Sequence, residues 1–194
     1  HTAGEIRIDG KDISEYPKED LRQKIGIVMQ KAVLFAGSIR DNLLWGKETA
    51  TDEDLKEALQ IAQGLEVVEK KDGGLSASVA QSGRNFSGGQ KQRLTIARAL
   101  VRKPEILILD DSASALDYAT DAALRKSIAG MKQKPTVFIV SQRASSVMYA
   151  DQILVLDDGE LVGKGTHKEL LASCEVYREI YYSQFPEKGA GQNV

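Results

Sequence analysis

The sequence is poor in the residues that make covalent or metal staples. It holds one cysteine, Cys174, so no disulfide can close within it, and that thiol with two scattered histidines makes no zinc-ligand cluster. A reducing, cytosolic setting fits this usage. Long apolar runs are missing as well. None approaches the roughly 20 residues that cross a bilayer, and no charged-then-apolar leader opens the chain. Nor is there an excess of one charge: 26 basic and 28 acidic residues give a formal net charge of -2. The two signs are interspersed, which argues against a nucleic-acid surface, where a basic patch or stripe is usual. What remains is 194 residues, 42% hydrophobic and 6% aromatic, enough to bury a core and to make one domain. The chain opens at His1 rather than methionine and reads as a fragment trimmed at its N-terminus.

Apolar periodicity divides the chain into sections. Gly4 to Gly10 (GEIRIDG) alternates apolar and polar between glycines, as a half-buried strand does, and a second strand is expected at Gly26 to Met29. Ser38 to Leu44, Thr51 to Ala62 and Gly64 to Lys71 read as helices, with Thr51 and Asp54 spaced as a helix start. A longer helix follows Ser87, with Leu94, Ala97, Leu100 and Val101 on one face, and Pro104 stops it. Ile106 to Leu109 and Val137 to Val140 are continuously apolar and flank a helix from Ala119 to Gly130, the pattern of a parallel α/β unit. Ile153 to Leu156 meets Glu160 to Val162 across Asp157-Asp158-Gly159, a hairpin signal. Thr166 and Glu169 have capping-box spacing before a last helical region, and the GAGQNV tail is expected to be disordered.

Ser87-Gly88-Gly89-Gln90 is the sharpest chemical feature. Serine and glutamine at this spacing make an ordinary capping box, which needs no ligand. Two glycines in the first turn, however, cost roughly 1 kcal/mol each relative to alanine, so something is expected to approach that backbone closely. Bare N–H groups, a serine hydroxyl and the positive end of a helix make a phosphate-binding surface.

NFSGGQKQRLTIARAL resembles the signature motif of ATP-binding-cassette (ABC) ATPases, and a Walker B-like strand follows at the usual distance. The resemblance covers nearly the whole chain. It implies an α/β, P-loop NTPase fold: a RecA-like parallel sheet lobe plus a helical subdomain, here lacking the N-terminal Walker A strand and loop. The implied organisation is the end of a β-subdomain through the Q-loop (1–30), a helical subdomain carrying the signature (31–103), a Walker B, D-loop and switch lobe (104–166), and a C-terminal helical region with tail (167–194). In the family, the signature binds the γ-phosphate of ATP held by the opposite domain of a head-to-tail dimer. Ser87, Gly88, Gly89 and Gln90 would therefore act in trans. By similarity Gln30 is the Q-loop glutamine, a Mg²⁺ contact that links the nucleotide site to the transmembrane part, and Ser114-Ala115-Leu116-Asp117 is the D-loop. The segment Val33 to Leu43 resembles exporters more than importers. The implied cofactors are ATP and Mg²⁺, and the implied partners are a second nucleotide-binding domain and transmembrane domains, with no nucleic acid. The implied location is the cytoplasmic face of a cell membrane.

Asp110 and Asp111 end the apolar strand, where α/β proteins bind ligands. Adjacent acids repel each other, which favours a metal or a displaced neighbour as the explanation over helix capping, and Asp110 would hold Mg²⁺ directly or through water. Active family members carry glutamate at the next position, where it polarises the attacking water. This sequence has Asp111, one methylene shorter. The switch histidine is likewise replaced, by Gln142, which can donate a hydrogen bond but cannot become cationic. Together the two changes resemble the degenerate-site subunit of heterodimeric multidrug or lipid exporters. The phosphate-cradling G-x-x-x-x-G-K-[ST] is absent, since neither Gly10-Lys11 nor Gly163-Lys164 has the required spacing. A nonhydrolytic nucleotide-gated module and a soluble ABC protein remain alternatives to the exporter ATPase. Among lesser residues, Trp45 is expected in the core ahead of a place where the domain meets transmembrane coupling helices, His167 on the solvated surface, Cys174 without chemistry, and Gln81 and Arg84 in a solvated loop or at a partner.

Overall fold

In the computed structural model, which describes residues 3–186, the GEIRIDG stretch turns back on itself instead of running as one strand. Strands β1 (Arg7–Ile8) and β2 (Lys11–Asp12) pair antiparallel across Asp9 and Gly10, both at positive φ. An Asp-Gly pair favours such a turn because its two central residues need φ above zero. Asp12 then accepts the Ser14 N–H at 2.8 Å and starts a short 3₁₀ turn. Helix α1 (Lys18–Lys24), which the sequence pattern did not announce, leads into β3 (Ile25–Val28), one residue earlier than expected.

The chain divides into two compact units, residues 1–140 and 141–194. The centre of the first unit is a parallel sheet in the order β3-β6-β7, with β6 at Ile106–Asp110 and β7 at Thr136–Val140. Helix α6 (Tyr118–Ala129) connects β6 to β7, so the expected α/β unit is present. The register pairs Val28 with Leu109 and Asp110 with Val140, which brings the C-terminal ends of the three strands together. On one sheet face Val28, Leu107 and Leu109 join the main core. The other face is open: Ile27, Phe138 and Val140 are 54%, 55% and 56% exposed.

The helical section comprises α2 (Ile39–Leu44), α3 (Asp52–Ile61), α4 (Leu65–Glu69) and α5 (Gly88–Leu100). A short strand pair, β4 (Gly37–Ser38) with β5 (Ser78–Val79), ties its ends. Leu94, Ala97, Leu100 and Val101 are buried as their spacing predicted, and Ile96 is buried with them. Pro104 lies against Gly26, where a Cβ would come within 2.9 Å of the proline ring, so the end of α5 sits tightly on β3.

Helices α2, α3 and α5 each begin with a reciprocal capping box: Ser38 with Asp41, Thr51 with Asp54, and Ser87 with Gln90. At α3 the Thr51 N–H donates to Asp54, and this bond, helped by Lys103 and the Thr51 hydroxyl, holds the Asp54 carboxyl below the usual carboxylate range. Its contribution is therefore present above the unfolded-state pKa and is lost as pH falls through the lower folded value. Thr51→Ala is expected to lower unfolding stability by about 1 kcal/mol at neutral pH. In urea titrations the deficit should narrow in acid, once Asp54 loses the charge that the hydroxyl also binds.

In the second unit, after α7 (Ala144–Val147), strands β8 (Ile153–Asp157) and β9 (Glu160–Gly165) form the expected hairpin, turning at Asp158-Gly159 with positive φ at both. Helices α8 (His167–Ser173) and α9 (Glu175–Gln184) follow, the first capped by Thr166 and Glu169 as the spacing predicted. Ile153, Val155, Leu170, Cys174 and Tyr177 form a small core. His167 departs from its expected solvated position. It is half-buried, with Nδ1 2.8 Å from the Tyr177 hydroxyl and its ring packed on Tyr181. The expected disordered tail, residues 189–194, lies outside the described residues. Among the described residues, no helix is long and apolar enough to cross a membrane.

Candidate functional site

The C-terminal ends of β3 and β6 place Gln30 beside Asp111. Gln30 Nε2 donates to Asp111 Oδ2 at 3.3 Å across 81 residues of sequence. Asp111 holds a left-handed backbone, φ 43°, which a short acidic residue tolerates better than a bulky one. The reason lies in its main-chain bonds. Its N–H donates to the Val140 carbonyl at 2.8 Å, while its own carbonyl accepts the Ser114 N–H at 3.2 Å and the Ser114 hydroxyl at 2.8 Å. The turn after β6 is thereby fixed from both sides. Asp110, half-buried, is the last residue of β6.

The loop from Ser112 to Asp117 runs on from this turn. Ser112, Ala113 and Leu116 are buried, and Ser114, Ala115 and Asp117 are exposed. Asp117 caps α6, accepting the Thr120 N–H at 2.8 Å and the Thr120 hydroxyl at 2.9 Å, and these bonds hold its carboxyl below the usual range. The start of α5 lies against the same loop, since a Cβ on Gly89 would stand 3.0 Å from the Ala115 carbonyl oxygen. Gly88 has open space around it. The close approach that the glycine pair suggested is thus met at Gly89 by the chain's own Ala115 carbonyl. Ser87 Oγ accepts the Gln90 N–H at 3.3 Å, and Gln90 Oε1 accepts the Ser87 N–H at 3.0 Å.

Gln142 belongs to the second unit, where its carbonyl accepts the Gln184 amide at 2.8 Å. Arg84 binds Gln81, Nη2 to Oε1 at 3.1 Å.

Three features escaped the sequence reading. Trp45 is 67% exposed rather than in the core, stacked on Phe35 with ring centroids 4.7 Å apart. Arg98 donates to the Asn42 carbonyl and to Asn42 Oδ1, both at 2.8 Å, to the Val33 carbonyl at 3.1 Å, and lies over the Phe35 ring. Burial pushes its pKa down. The third feature is a groove of about 540 Å³, where apolar Ile27, Met29 and Trp45 meet the cations Arg22, Lys31 and Arg102. Arg98 could have been noticed in the sequence, because it falls between Leu94 and Val101 on the apolar stripe of α5.

Among the described residues, no three His, Cys, Asp or Glu side chains gather as a metal cage. Mg²⁺ needs none: one or two carboxylates suffice when substrate phosphates complete its shell. The hard oxygens of Asp110 and Gln30 fit that role. The start of α5, where the Gly88 and Gly89 N–H groups have no intrahelical acceptor and that of Gln90 is taken by Ser87, fits a phosphate.

The family profile described as "ABC transporter" matches residues 1–114, and the chain belongs to that family. It is 47% identical to the "Uncharacterized ABC transporter ATP-binding protein YfiB" of Bacillus subtilis, over 97% of this chain and 32% of that protein. It is 44% identical to YheI of the same organism, a "Probable multidrug resistance ABC transporter ATP-binding/permease protein", over 97% of this chain and 33% of that one. Among solved structures, a bacterial Atm1-family ABC exporter with ATP bound matches at TM-score 0.89 and 34% identity, over 94% of this chain and 32% of that one. The chain thus has the ABC ATPase fold and spans about a third of the length of the relatives it matches.

Proposed function

We propose that the chain is the nucleotide-binding part of an exporter subunit, powering transport by ATP hydrolysis, whose own catalytic site is degenerate while its signature completes the partner's site. The observation that carries the reading is the pairing of an intact helix start at Ser87–Gln90, exposed at Ser87 and Gly88, with a shortened carboxylate, Asp111, at the end of the Walker B-like strand. ATP supplies the phosphoryl group and Mg²⁺ neutralises its charge. Asp110 and Gln30 would hold the metal, and Asp111 would polarise water from a retracted position. Gln142 would face the γ-phosphate without the charge a histidine can carry. Ser87, Gly88, Gly89 and Gln90 would bind the terminal phosphate of a nucleotide seated on the second domain, with Ser114, Ala115, Leu116 and Asp117 at the same interface.

Relatives named as ATP-binding/permease proteins support a transmembrane partner. The groove beside Trp45 suits it. A helix on the cytoplasmic side of that partner, apolar on one face and carrying acidic residues, would complement an apolar floor ringed by Arg22, Lys31 and Arg102.

No G-x-x-x-x-G-K-[ST] loop occurs among the 194 residues. By itself the chain is therefore expected to bind ATP more weakly than about 10 µM, since the backbone cradle and its lysine supply most phosphate contacts in this class. Isothermal calorimetry on the chain checks this, and clear micromolar binding would overturn it.

A further inference from the structure

The two glycines that open α5 stand in different surroundings. A Cβ on Gly88 would meet nothing within 4 Å, whereas one on Gly89 would meet the main-chain oxygen of Ala115 at 3.0 Å. That neighbour is backbone, not the end of a flexible side chain, so it can give way only if the loop moves.

The loop is poorly placed to move. Ser112, Ala113 and Leu116 are buried, with Leu116 part of the main core. The Leu116 N–H donates to Ala113 at 3.0 Å, and Asp117 is committed to capping α6. On the other side, Ser114 holds the Asp111 carbonyl through both its N–H and its hydroxyl, and the Asp111 N–H holds Val140. A push on the Ala115 carbonyl is therefore passed back to the main chain of Asp111.

We propose that Gly89 is a positioning residue: its bare Cα lets the Ala115 carbonyl seat against the start of α5, fixing the 112–117 loop in register with the phosphate-facing helix end. The arrangement gives Gly89 a duty beyond the phosphate contact proposed for its N–H, a contact that an alanine there would keep. Gly88 keeps the approach open for a ligand, and Gly89 joins that approach to the loop leading from Asp110 and Asp111. Through this contact, pressure on the helix start by a nucleotide on the partner domain is felt at the chain's own carboxylates. The inference rests on the proposed function for its nucleotide, but the contact itself does not.

The test compares Gly89→Ala with Gly88→Ala in the assembled transporter, using hydrogen exchange read by mass spectrometry and steady-state ATPase kinetics. Gly89→Ala is expected to speed exchange in the 112–117 peptide several-fold and to leave Asp52–Ile61 unchanged. Its kcat should fall several-fold while KM for ATP moves by less than about twofold, the pattern of lost positioning rather than lost uniform binding. Gly88→Ala is expected to leave the loop's exchange alone and to raise KM. An unchanged loop in Gly89→Ala, an equal response in Gly88→Ala, or an equal rise across Asp52–Ile61 would overturn the proposal. If the loop responds as expected while Gly88→Ala leaves KM untouched, the register contact stands and the nucleotide-facing role of the helix start falls.

Discussion

Changing Asp111 to glutamate and Gln142 to histidine together is expected to raise ATP turnover at this chain's own site by roughly ten- to a hundredfold, the scale on which a misplacement of about 1 Å changes rates. A gain is expected even though the left-handed backbone at 111, φ 43°, suits aspartate better than a longer residue. The main chain at Asp111 is pinned by Val140 on one side and Ser114 on the other, so the longer side chain starts from an anchored point and projects further. Gln30, now 3.3 Å from the Asp111 carboxylate, is released to a metal or water when that carboxylate advances. Histidine at 142 adds a group that can carry positive charge near neutral pH, which glutamine cannot. Each single change is expected to give less than the pair, because in the proposed function a water-polarising base and a charge-stabilising donor would serve one transition state. The measurement is ATPase activity of the assembled pair with the partner's own catalytic glutamate changed to glutamine, which isolates this site. Fast hydrolysis before the changes, or none gained after them, would refute degeneracy.

The sequence made the sheet and the helix starts legible because both depend on short-range chemistry. Continuous apolar runs at Ile106–Leu109 and Val137–Val140 pointed to parallel strands, although the second leaves Phe138 and Val140 on an open face, and the boxes at Thr51, Ser87 and Thr166 lie within four-residue windows. The Asp158-Gly159 hairpin was readable for the same reason. The equivalent Asp9-Gly10 pair went unread because alternation on both sides of it mimics one continuous strand. Longer-range features were hidden. That Gln30 touches Asp111 follows from β3 pairing with β6, not from any local pattern. Nor could spacing say that Gly89 faces Ala115 and Gly88 faces open space. Trp45 misled through its neighbours. Two leucines before it suggested burial, but α2 ends at Leu44, so the indole falls beyond the helix and lies on Phe35.

Arg98→Ala is expected to destabilise the chain by about 3 kcal/mol, since one guanidinium organises the whole 33–46 segment and its loss leaves semi-buried acceptors unpaired. Three of its N–H groups reach Val33 and Asn42. Asn42 in turn accepts the Phe35 N–H at 2.8 Å and donates to the Phe35 and Ser38 carbonyls at 2.8 and 3.0 Å, so the side chain that shapes this segment is itself held by Arg98. Gly46 tightens the joint further, because its Cα lies so close to the Arg98 carbonyl that any Cβ there would overlap it. Trp45, the chain's single tryptophan, reports the outcome directly through its stack on Phe35. In Arg98→Ala its fluorescence anisotropy should fall at denaturant concentrations where helical circular dichroism is still native, and the overall midpoint should drop. Arg98→Lys is expected to behave nearly as badly, because an ammonium cannot offer the planar fork that serves Asn42 and Val33 at once or lie flat over Phe35. In the assembled transporter the same variants should bind ATP yet lose the stimulation of hydrolysis by transported substrate, since the disordered segment forms one wall of the groove proposed for the transmembrane partner. Wild-type anisotropy and midpoint in Arg98→Ala would show that the segment holds its shape without the arginine, and that the packing of Trp45 on Phe35 is the cause of its order and not the consequence.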